Sequence, residues 1–170
     1  MPLKKVVKTS TPQVPSPDND QLSILYVEDN DTNWELTELA LKSDYALTRA
    51  VSSEQALDVL ERKEFDLIFM DIELQNSKLD GIELTKFLKS SEPGSPNTMQ
   101  RPIVTPIIFM TAYSNRYTRR ELINIGADEL VSKPVHFGKL QSLIATLLRT
   151  QREAVTAERH LRSKTEEALE

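Results

Sequence analysis

The chain has 170 residues, a formal net charge of −5 and no cysteine. Its length suits one domain with a continuous core, and the lack of cysteine excludes disulfides, thiolate metal sites and a cysteine nucleophile. The two histidines are too few for a histidine-rich zinc site, and the acidic balance argues against general nucleic-acid binding. No apolar run is long enough for a membrane span or a secretory signal, so we expect a cytoplasmic protein.

Residues 1–21 are predicted to form a disordered leader. Four of the nine prolines fall in this segment, and serine, threonine, asparagine and aspartate fill the gaps between them. Such a composition buries too little apolar surface to fold.

From residue 22 onward, short apolar segments alternate with amphipathic ones. Strands are predicted at Ser23–Val27, Ala46–Val51, Asp66–Met70, Pro106–Met110 and Glu129–Ser132. Helices are predicted at Thr32–Lys42, Ser53–Arg62, Gly81–Ser90, Asn115–Ile125 and from His136 onward. The first two helix starts have capping-box spacing, in the pairs Thr32 with Glu35 and Ser52 with Gln55.

Three of these strands contain the runs ILYV, LIFM and IIFM, which are apolar throughout rather than alternating. That pattern is typical of parallel strands covered on both faces. Strict alternation of five strands and five helices therefore predicts an α/β domain over residues 22–148, with a doubly wound parallel sheet and helices on both faces.

Two segments depart from this pattern. Residues 91–105 form a long connection that contains proline and serine, and its role is open. Residues 149–170 are predicted to form a charged helical extension of the last helix. Leucine or alanine recurs there every seven residues, but the companion heptad positions are mostly polar. A solvated helix and a homodimer through the C-terminal helix both remain possible.

Polar residues follow the predicted strands at the points where they end. Glu28 and Asp29 follow the first strand, Asp71 the third, Thr111 the fourth and Lys133 the fifth. The carboxyl ends of parallel strands share one edge of the sheet, where ligands bind. We therefore expect these side chains to meet at one site.

Such a cluster is suited to phosphoryl transfer. Neighbouring carboxylates repel each other, so some would take up protons unless a cation were present. Mg²⁺ prefers hard oxygen ligands, which Asp29 and Asp71 would supply, with Glu28 directly or through water. Lys133 and the Thr111 hydroxyl could neutralise phosphoryl oxygens. Asp71 is the candidate nucleophile, because a carboxylate can form an acyl phosphate.

The motifs VEDN, IFMDIE, DG, FMTA and SKPV resemble, in this order, those of response-regulator receiver domains across residues 22–148. The resemblance implies a flavodoxin-like fold with strand order 2-1-3-4-5. It implies phosphorylation of Asp71 by a histidine kinase or a histidine phosphotransfer protein, with the domain itself catalysing phosphorylation and dephosphorylation. It also implies Mg²⁺ bound by the acidic pair, Asp71 and the backbone carbonyl of Glu73, and a candidate cis bond between Lys133 and Pro134.

The sequence departs from the family pattern at several positions. The acidic pair is Glu-Asp instead of Asp-Asp, and the loop between Asp71 and Gly81 has two extra residues and lacks the usual proline. Leu130 stands where the family usually has an aromatic residue, which puts the usual switch in doubt. We hypothesise that Tyr113 blocks or orders the pocket and that Glu73 influences attack by water on the phosphate.

Other functions are weighed against this one. A haloacid-dehalogenase-like phosphatase also uses aspartate, threonine, lysine and magnesium, but its motifs come in a different order. A receiver-like interaction module that signals without phosphorylation remains the alternative.

The expected output is contact with a downstream protein through the fourth helix, fifth strand and fifth helix or through the C-terminal extension. We expect no direct DNA binding. Arg116, Arg119 and Arg120 form either a solvated basic face or a docking patch for an acidic partner.

Overall fold

The structure, a computed structural model, describes residues 21–90 and 102–167. The predicted leader, apart from Gln21, and most of the 91–105 connection lie outside the described residues. The elements are β1 Leu22–Val27, α1 Asp31–Leu41, β2 Tyr45–Ala50, α2 Ser53–Arg62, β3 Leu67–Asp71, α3 Gly81–Lys89, β4 Ile107–Thr111, α4 Arg119–Ile125, β5 Glu129–Ser132 and α5 Phe137–Glu167.

The five strands form one parallel sheet in the order β2-β1-β3-β4-β5. This confirms the predicted strand order and the α/β class. All residues of β3 and β4, two of the three interior strands, are buried, as expected for strands with helices on both sides.

Alternate side chains of the strands enter two separate apolar clusters, because successive residues of a strand point to opposite faces. Leu25 and Val27 of β1 pack with side chains of α2, α3 and α4. Ile24 and Tyr26 pack on the other face with α1 and α5. The sheet is therefore doubly wound, as predicted.

The helix starts show which capping signals operate. Ser52 caps α2 and accepts from the Gln55 N–H, as predicted. The prediction for α1 is wrong, because Asn30, not Thr32, caps it and accepts from the Asn33 N–H. The predicted start of α4 at Asn115 is also wrong. Thr118 caps that helix in a reciprocal pair with Glu121, so the helix begins at Arg119.

Helix α5 is much longer than the other helices. Leu140, Ile144 and Leu148 bury its first turns against the sheet. At 3.0 Å, the Gln151 side-chain amide donates to the Val104 carbonyl, and residues 152–164 are exposed. Within the described ranges, no helix combines the length and apolar character needed to cross a membrane.

Candidate functional site

Four of the five side chains predicted to converge lie together at the carboxyl ends of β1, β3 and β5. Carboxylate oxygens of Glu28, Asp29 and Asp71 all lie within 4.8 Å of one another. The Lys133 ammonium contacts two of these carboxylates, although Lys133 is 105 residues away from Glu28 in the sequence. Side chains of this cluster line an open pocket of about 480 Å³.

Glu28 is the most enclosed of the three acids and is 0% exposed. Its Oε2 accepts from Lys133 Nζ at 2.6 Å and from the Tyr26 hydroxyl at 2.8 Å. Its Oε1 accepts from the Asn30 N–H at 3.0 Å. Burial alone would raise the pKa of Glu28. The hydrogen bond and positive charge of Lys133, together with the hydrogen bonds from Asn30 and Tyr26, outweigh burial and hold the pKa below its ordinary value.

Asp71 ends β3 and is 7% exposed. Its Oδ2 lies 3.4 Å from Lys133 Nζ, and its Oδ1 accepts from the Glu73 N–H at 3.2 Å. Burial, together with the negative charge of Glu28, raises the pKa of Asp71 to about 7 despite the opposing charge of Lys133. The crowded acids therefore favour uptake of a proton, as expected for a cluster without a cation.

Asp29 is bound by the loop between β3 and α3, the loop that is two residues longer than usual. The Gln75 N–H of this loop donates to Asp29 Oδ2 at 2.8 Å. Ser77 fastens the same loop to the start of α2, because its Oγ accepts from the Ser53 N–H at 2.8 Å and lies 2.7 Å from the Leu79 carbonyl. The longer loop thus delivers a backbone donor to the acidic cluster.

Gly81 allows the loop to close tightly over Asp71. Asp80 and Glu83 form a reciprocal capping box that starts α3 at Gly81. A Cβ atom on Gly81 would lie 2.0 Å from the Asp71 carbonyl oxygen, which no side chain can tolerate. In the Asp-Gly pair, Asp80 therefore caps the helix and Gly81 allows the backbone to lie close to Asp71.

Thr111 and Lys133 end two neighbouring strands. Thr111 is buried at the end of β4, and its hydroxyl accepts from the Tyr113 N–H at 2.9 Å. The Lys133 N–H donates to the Thr111 carbonyl at 2.8 Å, which fixes the two residues side by side. The Lys133–Pro134 bond is cis, as the resemblance implied.

The sequence reasoning missed two residues at the site, Tyr26 and Arg49, and also the pairing of Arg116 with Glu73. Arg49 on β2 donates to the carbonyl oxygens of Glu28 and Asp29 at 2.9 and 3.0 Å. It therefore holds the turn that carries the acidic pair. An arginine in an amphipathic strand carries no sequence signal for this role.

Arg116 contacts Glu73, one of the residues that line the pocket. It forms an ion pair with Glu73 at 2.8 Å, and its guanidinium lies 4.3 Å from the centre of the Tyr113 ring. Arg119 is paired with Glu129 at 2.6 Å. Two of the three arginines of the predicted basic face are thus neutralised within the domain.

Leu130 occupies the position at which the family usually has an aromatic residue. It is partly buried and packs against the core cluster that contains Phe109 and Leu122. A leucine in this place has no aromatic ring that could rotate with a change at Thr111.

The residues present fit a divalent cation. Glu28, Asp29 and Asp71 offer hard oxygen ligands of the kind that Mg²⁺ prefers. Three carboxylates face one ammonium group, and burial together with the negative charge of Glu28 raises the pKa of Asp71. A divalent ion would relieve it.

Comparison with known proteins places this geometry in a family. The model of the response regulator receiver domain matches residues 24–145. The polar-differentiation response regulator DivK of Brucella ovis is 32% identical over 127 residues, which cover 74% of this chain and 95% of DivK. The transcriptional regulatory protein ZraR of Klebsiella oxytoca is also 32% identical, over 76% of this chain, but the match spans only 27% of ZraR.

One solved structure bears on the metal. The receiver domain of the sensor histidine kinase PA1611 of Pseudomonas aeruginosa, with a magnesium ion coordinated in its active-site cleft, is 29% identical and has a TM-score of 0.62. The match covers 75% of this chain and 98% of that domain. The chain therefore belongs to the response regulator receiver domain family, the phosphoacceptor module of two-component signalling.

Proposed function

We propose that Asp71 accepts a phosphoryl group from a phosphohistidine donor in an Mg²⁺-dependent reaction and that the domain then changes its protein contacts. One observation carries this proposal: the Asp71 carboxylate faces an open pocket, 3.4 Å from Lys133 and next to two further acids. The donor would be a histidine kinase or a histidine phosphotransfer protein.

In the proposed step, an Asp71 carboxylate oxygen attacks phosphorus and the bond between phosphorus and the histidine nitrogen breaks. The bonding electron pair stays on that nitrogen. Lys133 is placed to neutralise a phosphoryl oxygen, because its ammonium already lies between Glu28 and Asp71. The Thr111 hydroxyl, now bonded to the Tyr113 N–H, would donate to another.

Glu28, Asp29, Asp71 and the backbone carbonyl of Glu73 are the proposed Mg²⁺ ligands. When bound, the ion would supply positive charge against the charge that develops on the phosphoryl oxygens. Glu28 has little freedom, since three donors already bind its carboxylate, and a contact through water is compatible with this arrangement.

Dephosphorylation is proposed to use the same groups. Water attacks phosphorus, the bond to the Asp71 oxygen breaks, and inorganic phosphate leaves with the carboxylate restored. The domain thus catalyses its own phosphorylation and dephosphorylation and acts as a signalling phosphoacceptor rather than as an enzyme on a separate substrate.

The proposed output is contact with a downstream protein and not direct DNA binding. Strand β5 lies at the edge of the sheet, and a groove of about 430 Å³ between it and α5 is lined in part by Leu130, Val131 and Leu143. The exposed end of α5, residues 152–164, offers a second surface, which we propose for contact with a second copy of the chain.

The test is incubation of the purified chain with Mg²⁺ and acetyl phosphate, followed by intact-mass and peptide analysis. We expect one phosphoryl group on the peptide that contains Asp71 and none on Asp71→Asn. Asp58→Asn, an exposed change on α2, is the matched control and should behave like the wild type. Phosphate on another residue, or a lack of Mg²⁺ dependence, would contradict the assignment. A wild-type chain that takes up no phosphate would favour the phosphate-independent interaction module.

A further inference from the structure

Tyr26 is an unusual residue for the centre of an apolar sheet. It lies on β1, is 0% exposed and packs edge-on against Phe69, with ring centroids 5.6 Å apart. Trp34 of α1 covers it from the side, at 6.3 Å between ring centroids. The ring is therefore held on several sides, and its hydroxyl has a fixed position.

That hydroxyl points at the phosphorylation site. Tyr26 lies on β1 and Glu28 directly follows the end of that strand, and the hydrogen bond between their side chains places both on the same side of the sheet. The Tyr26 hydroxyl donates to Glu28 Oε2 at 2.8 Å in the buried interior. An aspartate at position 28 would be one methylene shorter, and its carboxylate would be withdrawn from this hydroxyl.

The three donors to Glu28 differ in mobility. The Asn30 N–H belongs to the backbone of the turn, and the Tyr26 hydroxyl belongs to a packed ring. Lys133 has a flexible side chain and would shift from Glu28 towards a phosphoryl group on Asp71, the other acid that its ammonium contacts. When it does so, Glu28 Oε2 loses its 2.6 Å contact with Lys133 and keeps the hydrogen bond from the Tyr26 hydroxyl. Without that hydroxyl, the oxygen would be a buried charged group with no donor, which is costly.

We propose that Tyr26 is a positioning residue for the metal and phosphoryl site. Its hydroxyl holds the Glu28 carboxylate in place and keeps it hydrogen-bonded when Lys133 moves to the phosphoryl group. The inference rests on the proposed function, and it gives a physical role to the Glu-Asp pair of this chain: the longer acidic side chain reaches a donor beneath the site.

The test is Tyr26→Phe, which removes one oxygen atom and keeps the ring. Hydrogen-bond partners of metal-ligating groups commonly affect metal affinity by 10-fold or more, so we expect the Kd for Mg²⁺, measured by isothermal titration calorimetry, to rise roughly tenfold. Tyr45→Phe, on β2 in the same core cluster, is the matched control and should leave the Kd unchanged.

A double-mutant cycle with Glu28→Asp separates positioning from general packing. Because the shorter side chain cannot reach the hydroxyl, adding Tyr26→Phe to Glu28→Asp should change the Kd for Mg²⁺ by less than about twofold. Thermal unfolding in EDTA reports the packing effect independently.

The outcomes distinguish a failure of the proposed function from a failure of the role proposed for Tyr26. A wild-type chain that binds neither Mg²⁺ nor phosphate would overturn the proposed function and this inference with it. A wild-type chain that binds Mg²⁺, with a Tyr26→Phe variant of equal affinity and lower melting temperature, would overturn only the inference and make Tyr26 a core residue.

Discussion

Burial and the charge of Glu28 raise the pKa of Asp71 to about 7 in the folded, metal-free chain, against an ordinary value of about 4 for the unfolded chain. The folded state therefore binds a proton more tightly than the unfolded state does. The stability that this proton contributes is fully present below pH 4 and is lost as the pH rises towards 7. Above pH 7 the ionised Asp71 destabilises the metal-free protein.

Asp71→Asn should remove this pH dependence. In EDTA, we expect its free energy of unfolding to increase relative to that of the wild type by about 2 kcal/mol between pH 5 and pH 8. Urea unfolding at the two pH values measures this difference, with Asp58→Asn as the control. Mg²⁺ should stabilise the wild type much more than Asp71→Asn. A difference between the two proteins that does not change with pH would show that Asp71 is not the titrating group.

Arg116 neutralises Glu73 beside the pocket. Its removal would leave an unpaired carboxylate next to the path of an anionic phosphodonor. Exposed charge pairs are worth up to about 1 kcal/mol, so we expect Arg116→Ala to slow phosphorylation by acetyl phosphate roughly fivefold at low salt. Rapid-quench measurement of the phosphorylated fraction over time gives this rate.

The double variant Arg116→Ala, Glu73→Gln is the internal control, because it lacks both charges. Its rate should return to near that of the wild type, and raising the salt concentration should reduce the defect of the single variant. If the double variant stays slow, then Arg116 acts through its stacking on Tyr113 rather than through charge.

At the scale of elements, the junction between β3 and α3 depends on Gly81. Alanine there would place a Cβ atom 2.0 Å from the Asp71 carbonyl oxygen. We expect Gly81→Ala to lower the free energy of unfolding by about 3 kcal/mol and to weaken Mg²⁺ binding, since the strand end must shift. Gly138→Ala on α5 meets its nearest atom at 3.4 Å and should be nearly neutral. Chemical denaturation compares the two variants, and equal stabilities would contradict the clash.

Helix starts show how far local sequence carries a prediction. The reciprocal pair of Thr118 and Glu121 that starts α4 has the spacing of a capping box, so the true start was visible in the sequence. For α1, two candidate caps lie close together, and only the backbone conformation of Asn30 selects it over Thr32. Both errors fall at boundaries, whereas the type of each element was predictable from apolar patterning.

Contacts between loops were not predictable in this way. Glu73 and Arg116 are 43 residues apart, and neither belongs to a strand end. Their pairing depends on the paths of two loops that periodicity does not determine. The Tyr26–Glu28 hydrogen bond is local in sequence. Predicting it, however, requires knowing that Trp34 and Phe69 pack around the Tyr26 ring beneath the site.

For the whole molecule, the site follows from topology. Four strand ends bring the acids, hydroxyl and amine to one edge because every strand of the sheet runs in the same direction. This is why Glu28 and Lys133 could be predicted to meet across 105 residues of sequence.

The end of α5 provides a test at this scale. Residues 152–164 are exposed, and a helical segment that buries little apolar surface adds little stability. A chain truncated after Gln151 should therefore have a free energy of unfolding within about 0.5 kcal/mol of that of the full chain and should accept phosphate on Asp71 at the same rate.

Leu161, which is 71% exposed, falls on the heptad stripe that we propose to meet a second copy. Sedimentation equilibrium should show concentration-dependent dimers for the full chain and monomers for the truncated one. A full chain that remains monomeric at all concentrations would remove the dimer proposal and leave a partner protein as the occupant of this helix.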